Sequence, residues 1–449
     1  MAKKHEIDMT TGNLFGKMIV FTIPIILSGI LQLLYNAADI VVVGRFAGKE
    51  ALAAVGSTGP LINLMLNLFM GLSVGSNIVL ATAYGEGNAK KISDIVHTSV
   101  TMSIICGIIL GILGFFASKP LLVIMNTPYD TIDLCSIYLK IIFLGMPAHL
   151  VYNFGAAMLR AIGDTKRPLY ILLVTGVVNV VLNLILVIFF NMSVAGVGIA
   201  TIVSQYLSAI YIIRCFVKSE EKYKLDLKNL KINKRVLMKI LAFGIPGGIQ
   251  STVFSLSNSI IQSAVNGFGS VAVAGNSIAN NIEGFIYTAL NSVTQAATSF
   301  TGQNLGAGKL DRIKKTFWYS CLIVITIGVV MSGGAIIFAT PLSMIYSTVP
   351  EVIDYSVLRL CLLCPAYILC GLMDVTVGSL RGMGKSVTSM LSCILGVCGI
   401  RIVWVFTIFK AFPTFTVLYF SYPVSWAGTA TILIIAFFVS FNKLKKQIQ

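Results

Sequence analysis

The chain has 449 residues, 56% hydrophobic and only 11% charged, where a soluble domain carries roughly 25% charged residues. Mean hydropathy is +0.89. These values exclude a soluble domain and describe an integral membrane protein. The net charge of +16 does not argue for nucleic acid, because the basic residues lie in short segments between apolar runs.

Twelve apolar runs follow in order, at about 15–43, 52–83, 94–117, 134–158, 168–190, 194–217, 237–265, 270–299, 313–339, 352–379, 386–410 and 416–441. The spacing predicts an all-α protein of twelve transmembrane helices. The polar opening MAKKHEIDMTTGNLFGK precedes a run too long for a signal-peptide core, so no cleavable signal is expected. Put the N-terminus inside. All but Arg45, Lys49, Lys119, Lys140, Arg359, Arg401 and Lys410 of the 33 Lys and Arg then fall on the inner side, from Lys3, Lys4 and Lys17 to Lys443, Lys445 and Lys446. This bias predicts a multi-pass protein of the cytoplasmic (plasma) membrane with both termini in the cytoplasm.

The first run contains Gln32, Tyr35, Asn36 and Asp39. Their spacing (i, i+3, i+4, i+7) puts all four on one helical face. A carboxylate mid-span costs about 2.5–3.5 kcal/mol on insertion scales and faces protein or a wet cavity. Only Asp39, Glu283 and Asp374 are acidic residues well inside apolar runs. The plain alternative for each is a structural hydrogen bond or ion pair. Asn153 on the fourth run, Asn179 and Asn183 on the fifth, and Thr201 and Gln205 on the sixth are candidate company for Asp39. Such a set can hold Na⁺ through oxygen ligands, or Asp39 can accept a proton. Asn280 and Asn281 precede Glu283.

The longest polar loop, about 218–235, falls near mid-chain. It predicts an N-terminal lobe over 1–217, a cytoplasmic linker over 218–236 and a C-terminal lobe over 237–449. The halves resemble one another. FTIPIILSGI (21–30) aligns with FGIPGGIQST (243–252), FAGKEALAAVG (46–56) with FGSVAVAGNSI (268–278), GNAKKI (87–92) with GAGKLDRI (306–313), and LRAIGDTK (159–166) with LRGMGKSV (380–387). Blocks in one order predict two pseudo-symmetric six-helix lobes, related by an axis along the membrane normal with a cavity between them. Pro24, Pro147, Pro246 and Pro365 recur at matched places in the halves. Each removes a backbone hydrogen bond and is a candidate hinge.

Basic residues inside runs are fewer. Arg401 must pair or reach water, with Asp374 or Glu283 as possible partners. Lys140 and Arg359 lie near the outer ends of the fourth and tenth runs, where they can snorkel. His149 reads as a packed histidine. Cys361 and Cys364 form a CxxC without a second pair or a nearby His, which reads as packing. No catalytic or nucleotide-binding motif is present, so neither an enzyme nor an ATP-driven pump is expected.

TTGNLFGKMIVFTIP, QLLYNAADIVVVGR and ALAAVG, with the LRAIGD and LRGMG loops, resemble bacterial multidrug and toxic-compound extrusion (MATE) transporters over nearly the whole chain. The resemblance implies export of small organic, often cationic compounds by antiport against Na⁺ or H⁺, with alternating access of two lobes. It implies cation coupling at Asp39, with Tyr35 one turn before it and Asn179 at the first polar position of the fifth helix. Asn183 stands where DinF-type members carry an Asp. Asp374 resembles the tenth-helix Asp of NorM-type members, whose seventh-helix Glu is missing here; Glu283 is a candidate substitute. No cofactor beyond the coupling ion and no protein partner are implied; the bilayer is. Two other classes compete. A flippase for lipid-linked oligosaccharides needs a cationic cavity for pyrophosphate. A channel or membrane enzyme is opposed by the repeat and by the missing catalytic set.

Overall fold

The computed structural model describes residues 6–125, 127–129 and 131–448, without the side chains of Lys49 and Ile448. Lys3 and Lys4, counted above among the inner-side charges, lie outside them, as does the Lys49 side chain. The helices are α1 (Leu14–Phe46), α2 (Lys49–Glu86), α3 (Ala89–Ile124), α4 (Ile132–Leu144), α5 (Met146–Ala161), α6 (Lys166–Leu184), α7 (Ser193–Val217), α8 (Lys234–Asn266), α9 (Ser270–Gly306), α10 (Leu310–Ile337), α11 (Ala339–Met344), α12 (Pro350–Leu363), α13 (Tyr367–Gly382), α14 (Ser386–Cys393), α15 (Ile400–Trp404) and α16 (Phe415–Ile448). They account for all twelve runs. The fourth is α4 and α5, bent by 48°. The tenth is α12 and α13, joined by a 3₁₀ turn at Cys364–Ala366. The eleventh is α14 and α15 with π-helical turns at Ile394–Gly399 and Val405–Phe409.

Among the described residues, ten helices are long and apolar enough to cross a membrane, and the bent pair α4–α5 makes an eleventh span. The remaining run, α9, is long enough but carries Asn276, Asn280, Asn281, Glu283, Asn291, Gln295, Gln303 and Asn304. Asn276, Glu283, Gln303 and Asn304 are buried, where α9 packs among α10, α12 and α13.

The chain divides into two compact units. One is Met1–Asp8 with Ile23–Gly248; the other is Met9–Thr22 with Ile249–Gln449. The first unit therefore takes in the start of α8. Gly71 and Gly75 of α2 explain the fit: a Cβ on Gly71 would lie 2.2 Å from the Gly248 nitrogen, and one on Gly75 2.4 Å from the Ile240 carbonyl. Small residues let the backbones meet. The second unit takes in the start of α1, where Phe21 stacks edge-on with Phe300 at 5.3 Å and Arg312 donates to the Met9 and Thr11 carbonyls, each at 3.1 Å.

The 218–236 stretch is docked on the first unit. His97 Nε2 accepts from the Asp226 amide at 3.1 Å, and Thr98 Oγ1 from the Asn233 amide at 3.1 Å. Tyr223 is fully buried, and its hydroxyl donates to Glu6, as does that of Tyr84 at 3.0 Å. Burial, then the bond to Glu6, pushes the Tyr223 phenol up to about 12, so it remains a donor.

The repeat is visible in the backbone. Gly48 and Gly269, before α2 and α9, have φ 90° and 91°. Gly87 and Gly308, at the ends of those helices, have φ 71° and 69°. Only glycine adopts such values without strain. These pairs set the register a residue or two away from the alignment read in the sequence.

Candidate ion and substrate sites

Asp39 projects from α1 toward α6, α7 and α4 of its own unit. Asn183 of α6 donates to its carboxylate through Nδ2 and lies 3.4 Å from Asn179 Oδ1 one turn earlier. Thr201 of α7 reaches the same carboxylate, and Tyr138 of α4 stands within its field. Asn179 and Asn183 are buried, and Asn183 Oδ1 has no hydrogen-bond partner among the described residues. Asp39 forms no salt bridge there either. The result is a carboxylate among neutral amides and hydroxyls, with an unused buried carbonyl beside it. A π-helical turn, Ile185–Phe189, begins two residues after Asn183. Such turns recur at functional sites.

The polar face of α1 serves more than this site. Gln32 lies about 10 Å from Asp39 along the axis at 1.5 Å per residue. It lines a small cavity of about 40 Å³ with Asn153, Ser28 and Arg160. Asn153 Nδ2 donates to the His149 carbonyl at 2.8 Å. Asn153 is thus placed with Gln32, and no hydrogen bond joins it to Asp39. Tyr35 lies between, its hydroxyl 3.5 Å from the Leu173 carbonyl. Asn36 is exposed. Gln205 lies at the α4–α5 bend, where a Cβ on Gly145 would be 2.7 Å from its Oε1.

Sequence reasoning missed Gly176. A Cβ there would fall 1.8 Å from the Tyr35 ring, so the glycine is the seat of that ring. The signal was present: Gly176, Asn179 and Asn183 (i, i+3, i+7) share one face of α6.

In the second unit Glu283 is held by Arg359. Arg359 Nε donates to Oε1 at 2.8 Å and Nη2 to Oε2 at 2.7 Å; Tyr367 Oη donates to Oε2 at 3.0 Å. Arg359 also donates to Asn276 and Asn280 and lies 4.9 Å from the Tyr419 ring centre. The expectation that Arg359 snorkels is corrected: it is 4% exposed. The reason is the polar face of α9, where Asn276, Asn280 and Glu283 (i, i+4, i+7) demand a buried cation. Arg401 does not pair with Glu283 or Asp374. It donates to Ser425 at 3.1 Å and Asn258 at 2.9 Å, and stacks 4.0 Å from the Tyr422 ring and 5.7 Å from that of Trp426. Asp374 is buried on α13 with Oδ2 unpartnered among the described residues, within the field of Arg381 and Tyr287. Of the four second-lobe candidates, only Glu283 and Asn280 meet, through Arg359.

Pro147 opens α5 at the bend, and Pro365 lies in the 3₁₀ turn. Pro24 and Pro246 lie inside continuous helices.

Two repeats of six membrane-spanning segments, with unpaired polar groups buried at mid-span, are the build of a secondary membrane transporter. The MatE family model matches the chain twice, over residues 24–185 and 246–407, beginning at Pro24 and at Pro246, and the chain belongs to that family. Its relatives include the probable multidrug resistance protein YoeA of Bacillus subtilis (strain 168), 26% identical over 445 residues, 97% of this chain and 96% of that protein. The FAD transporter of Shewanella oneidensis is 24% identical over 373 residues, 81% of this chain and 82% of that protein. A solved outward-facing MATE-family multidrug resistance transporter shares the fold at a TM-score of 0.91, with 21% identity and 98% of both chains covered.

Proposed function

We propose that this protein is a secondary active multidrug exporter of the cytoplasmic membrane, both termini cytoplasmic. It expels amphipathic, often cationic organic compounds by antiport with Na⁺ or H⁺. The observation that carries the reading is Asp39, a carboxylate in a spanning helix whose polar company is neutral. Without a fixed cation beside it, its charge can be cancelled by an entering ion. The donor set suits either ion. Na⁺ would take the oxygens of Asp39, Asn179, Asn183 and Thr201, including the unused Asn183 Oδ1. A proton would need only the carboxylate, and Asn183 would then turn an acceptor toward it. Coupling follows if ion and substrate stabilise different states or compete for one of them. The breaks at Pro147 and Pro365 support helix bending as the moving part.

The test is efflux of an organic cation from proteoliposomes, driven separately by imposed Na⁺ and pH gradients. Whichever gradient drives efflux names the ion. Asp39→Asn should abolish driven efflux while the variant keeps its helicity; full retained transport would sink the role of Asp39.

A second reading is favoured by Arg401, a buried guanidinium without a carboxylate partner among the described residues. It suits a substrate with an anionic group, such as the phosphates of FAD or a lipid-linked pyrophosphate. Inhibition of organic-cation efflux by such anions in the wild type, lost in Arg401→Gln, would select it.

A further inference from the structure

The first unit carries an open groove of about 640 Å³ that the ion site does not use. Its walls are apolar: Ile104 of α3, Pro147 and Val151 of α5, and Ile210 and Ile213 of α7. At one end stands Tyr206, whose hydroxyl is already spent on the Leu144 carbonyl at 3.0 Å, so it offers the groove its ring. At the other end stand Arg214, Lys218 and Leu227. Both basic residues are exposed, and neither joins a salt bridge among the described residues.

The dimensions match one leaflet. From Tyr206 to Lys218 α7 rises about 18 Å at 1.5 Å per residue, and half the hydrocarbon core is about 15 Å. The charges thus fall at headgroup level while the apolar walls line the acyl region. In the loop that follows, Glu220, Glu221 and Asp226 balance Lys222, Lys224 and Lys228, and Asp226 is engaged by the Lys228 amide at 3.0 Å and by Asn229. The positive charge left at the groove mouth is that of Arg214 and Lys218. An apolar groove in a bilayer is filled by a lipid tail whatever the headgroup. A guanidinium and an ammonium fixed above it make the headgroup matter, since the guanidinium fork binds a phosphate diester and the ammonium adds a point charge.

We propose that this groove binds an anionic phospholipid of the leaflet on the basic-loop side, its phosphate on Arg214 and Lys218 and one tail along α7 toward Pro147. Its tail then lies against the bend between α4 and α5, so occupancy bears on the angle of that break.

The test is native mass spectrometry of the full chain purified with phosphatidylglycerol and phosphatidylcholine together. The wild type should retain phosphatidylglycerol about thirty-fold over phosphatidylcholine, from roughly 1 kcal/mol for each of the two basic residues. Arg214→Gln with Lys218→Gln should erase that preference. Ile210→Trp, which fills the groove and leaves both charges, should lower retention of either lipid. Lys443→Gln with Lys445→Gln, at the end of α16, should change nothing. Equal retention of the two lipids by the wild type overturns the proposal. So does an unchanged preference in the double variant, or an equal loss in the α16 control. Displacement of lipid by an organic cation that binds better when Arg214 and Lys218 are removed would mark the groove as a substrate portal instead, and would also overturn it.

Discussion

The two units place acids in different company. In the first, Asp39 stands where the repeat has Ile260 and Ile261 in the second; in the second, Glu283 stands where the first has Leu61 and Ile62. Asp39 meets amides and a hydroxyl. Glu283 meets a guanidinium that grips both its oxygens. A carboxylate already neutralised by a bidentate arginine has little to gain from an incoming ion. One held by neutral donors has a full charge to exchange. On this contrast between Asp39 and Glu283 we propose that ion coupling lies at Asp39 rather than Glu283, and the Glu283 network is read as the pin that fixes α9 to α12.

The largest expected effect tests that pin. Glu283→Gln leaves Arg359 buried without its counter-charge. Breaking a buried pair from one side costs about 3–5 kcal/mol, seen as a marked fall in melting temperature. Replacing both residues by leucine should recover most of that loss, because two desolvated charges disappear together. Should Glu283→Gln melt like the wild type yet lose ion-driven efflux, the contrast fails and the second unit also holds an ion site.

A smaller effect sharpens the first unit. Gly176→Ala puts a Cβ into the Tyr35 ring, and overpacking of this kind costs about 1–3 kcal/mol. The side chain most able to move is Tyr35, one turn from Asp39, so coupling should weaken along with stability. In Tyr35→Ser the ring that the added methyl would strike is gone, and the same substitution should cost far less. A double-mutant cycle on melting temperature measures the difference. Additive effects would show that Gly176 does not seat Tyr35.

What could be read from the sequence was what helical periodicity carries within one segment. The α1 face and the Asn179–Asn183 pair each come from spacing along a single run, and the paired prolines come from the alignment of the two halves. What could not be read depends on depth and on partners far apart in sequence. Asn153 shares a spanning region with Asp39 in the linear order, yet it sits two turns away beside Gln32. Arg359 was placed at a run's outer end by counting from an apolar boundary, but the boundary does not say which face is turned inward. The polar stripe of α9 held that information. The polarity of α9 is itself a packing effect, since a helix buried among α10, α12 and α13 need not be apolar. The π-helical turns beside Asn183 and Arg401 have no signature in residue type.

The smallest expected effect compares two cations at near-equivalent places in the repeat. Lys140 of α4 is half-buried with its ammonium 5.6 Å from the centre of the Phe115 ring, and it joins no salt bridge among the described residues. A cation–π contact at such a site contributes about 0.5–1 kcal/mol, and methionine keeps most of the packing that the lysine stem provides. Lys140→Met should therefore lower the melting temperature only slightly. Arg359→Met strands Glu283 as a buried anion and should cost several times more. The ratio of the two losses, measured in one detergent, reads the asymmetry between the units without any transport assay. Equal losses would mean that Lys140 also balances a buried acid. Asp39 is the one acid placed well inside the apolar runs of that unit, so the assignment of Asp39 as a carboxylate with only neutral company would fall with them.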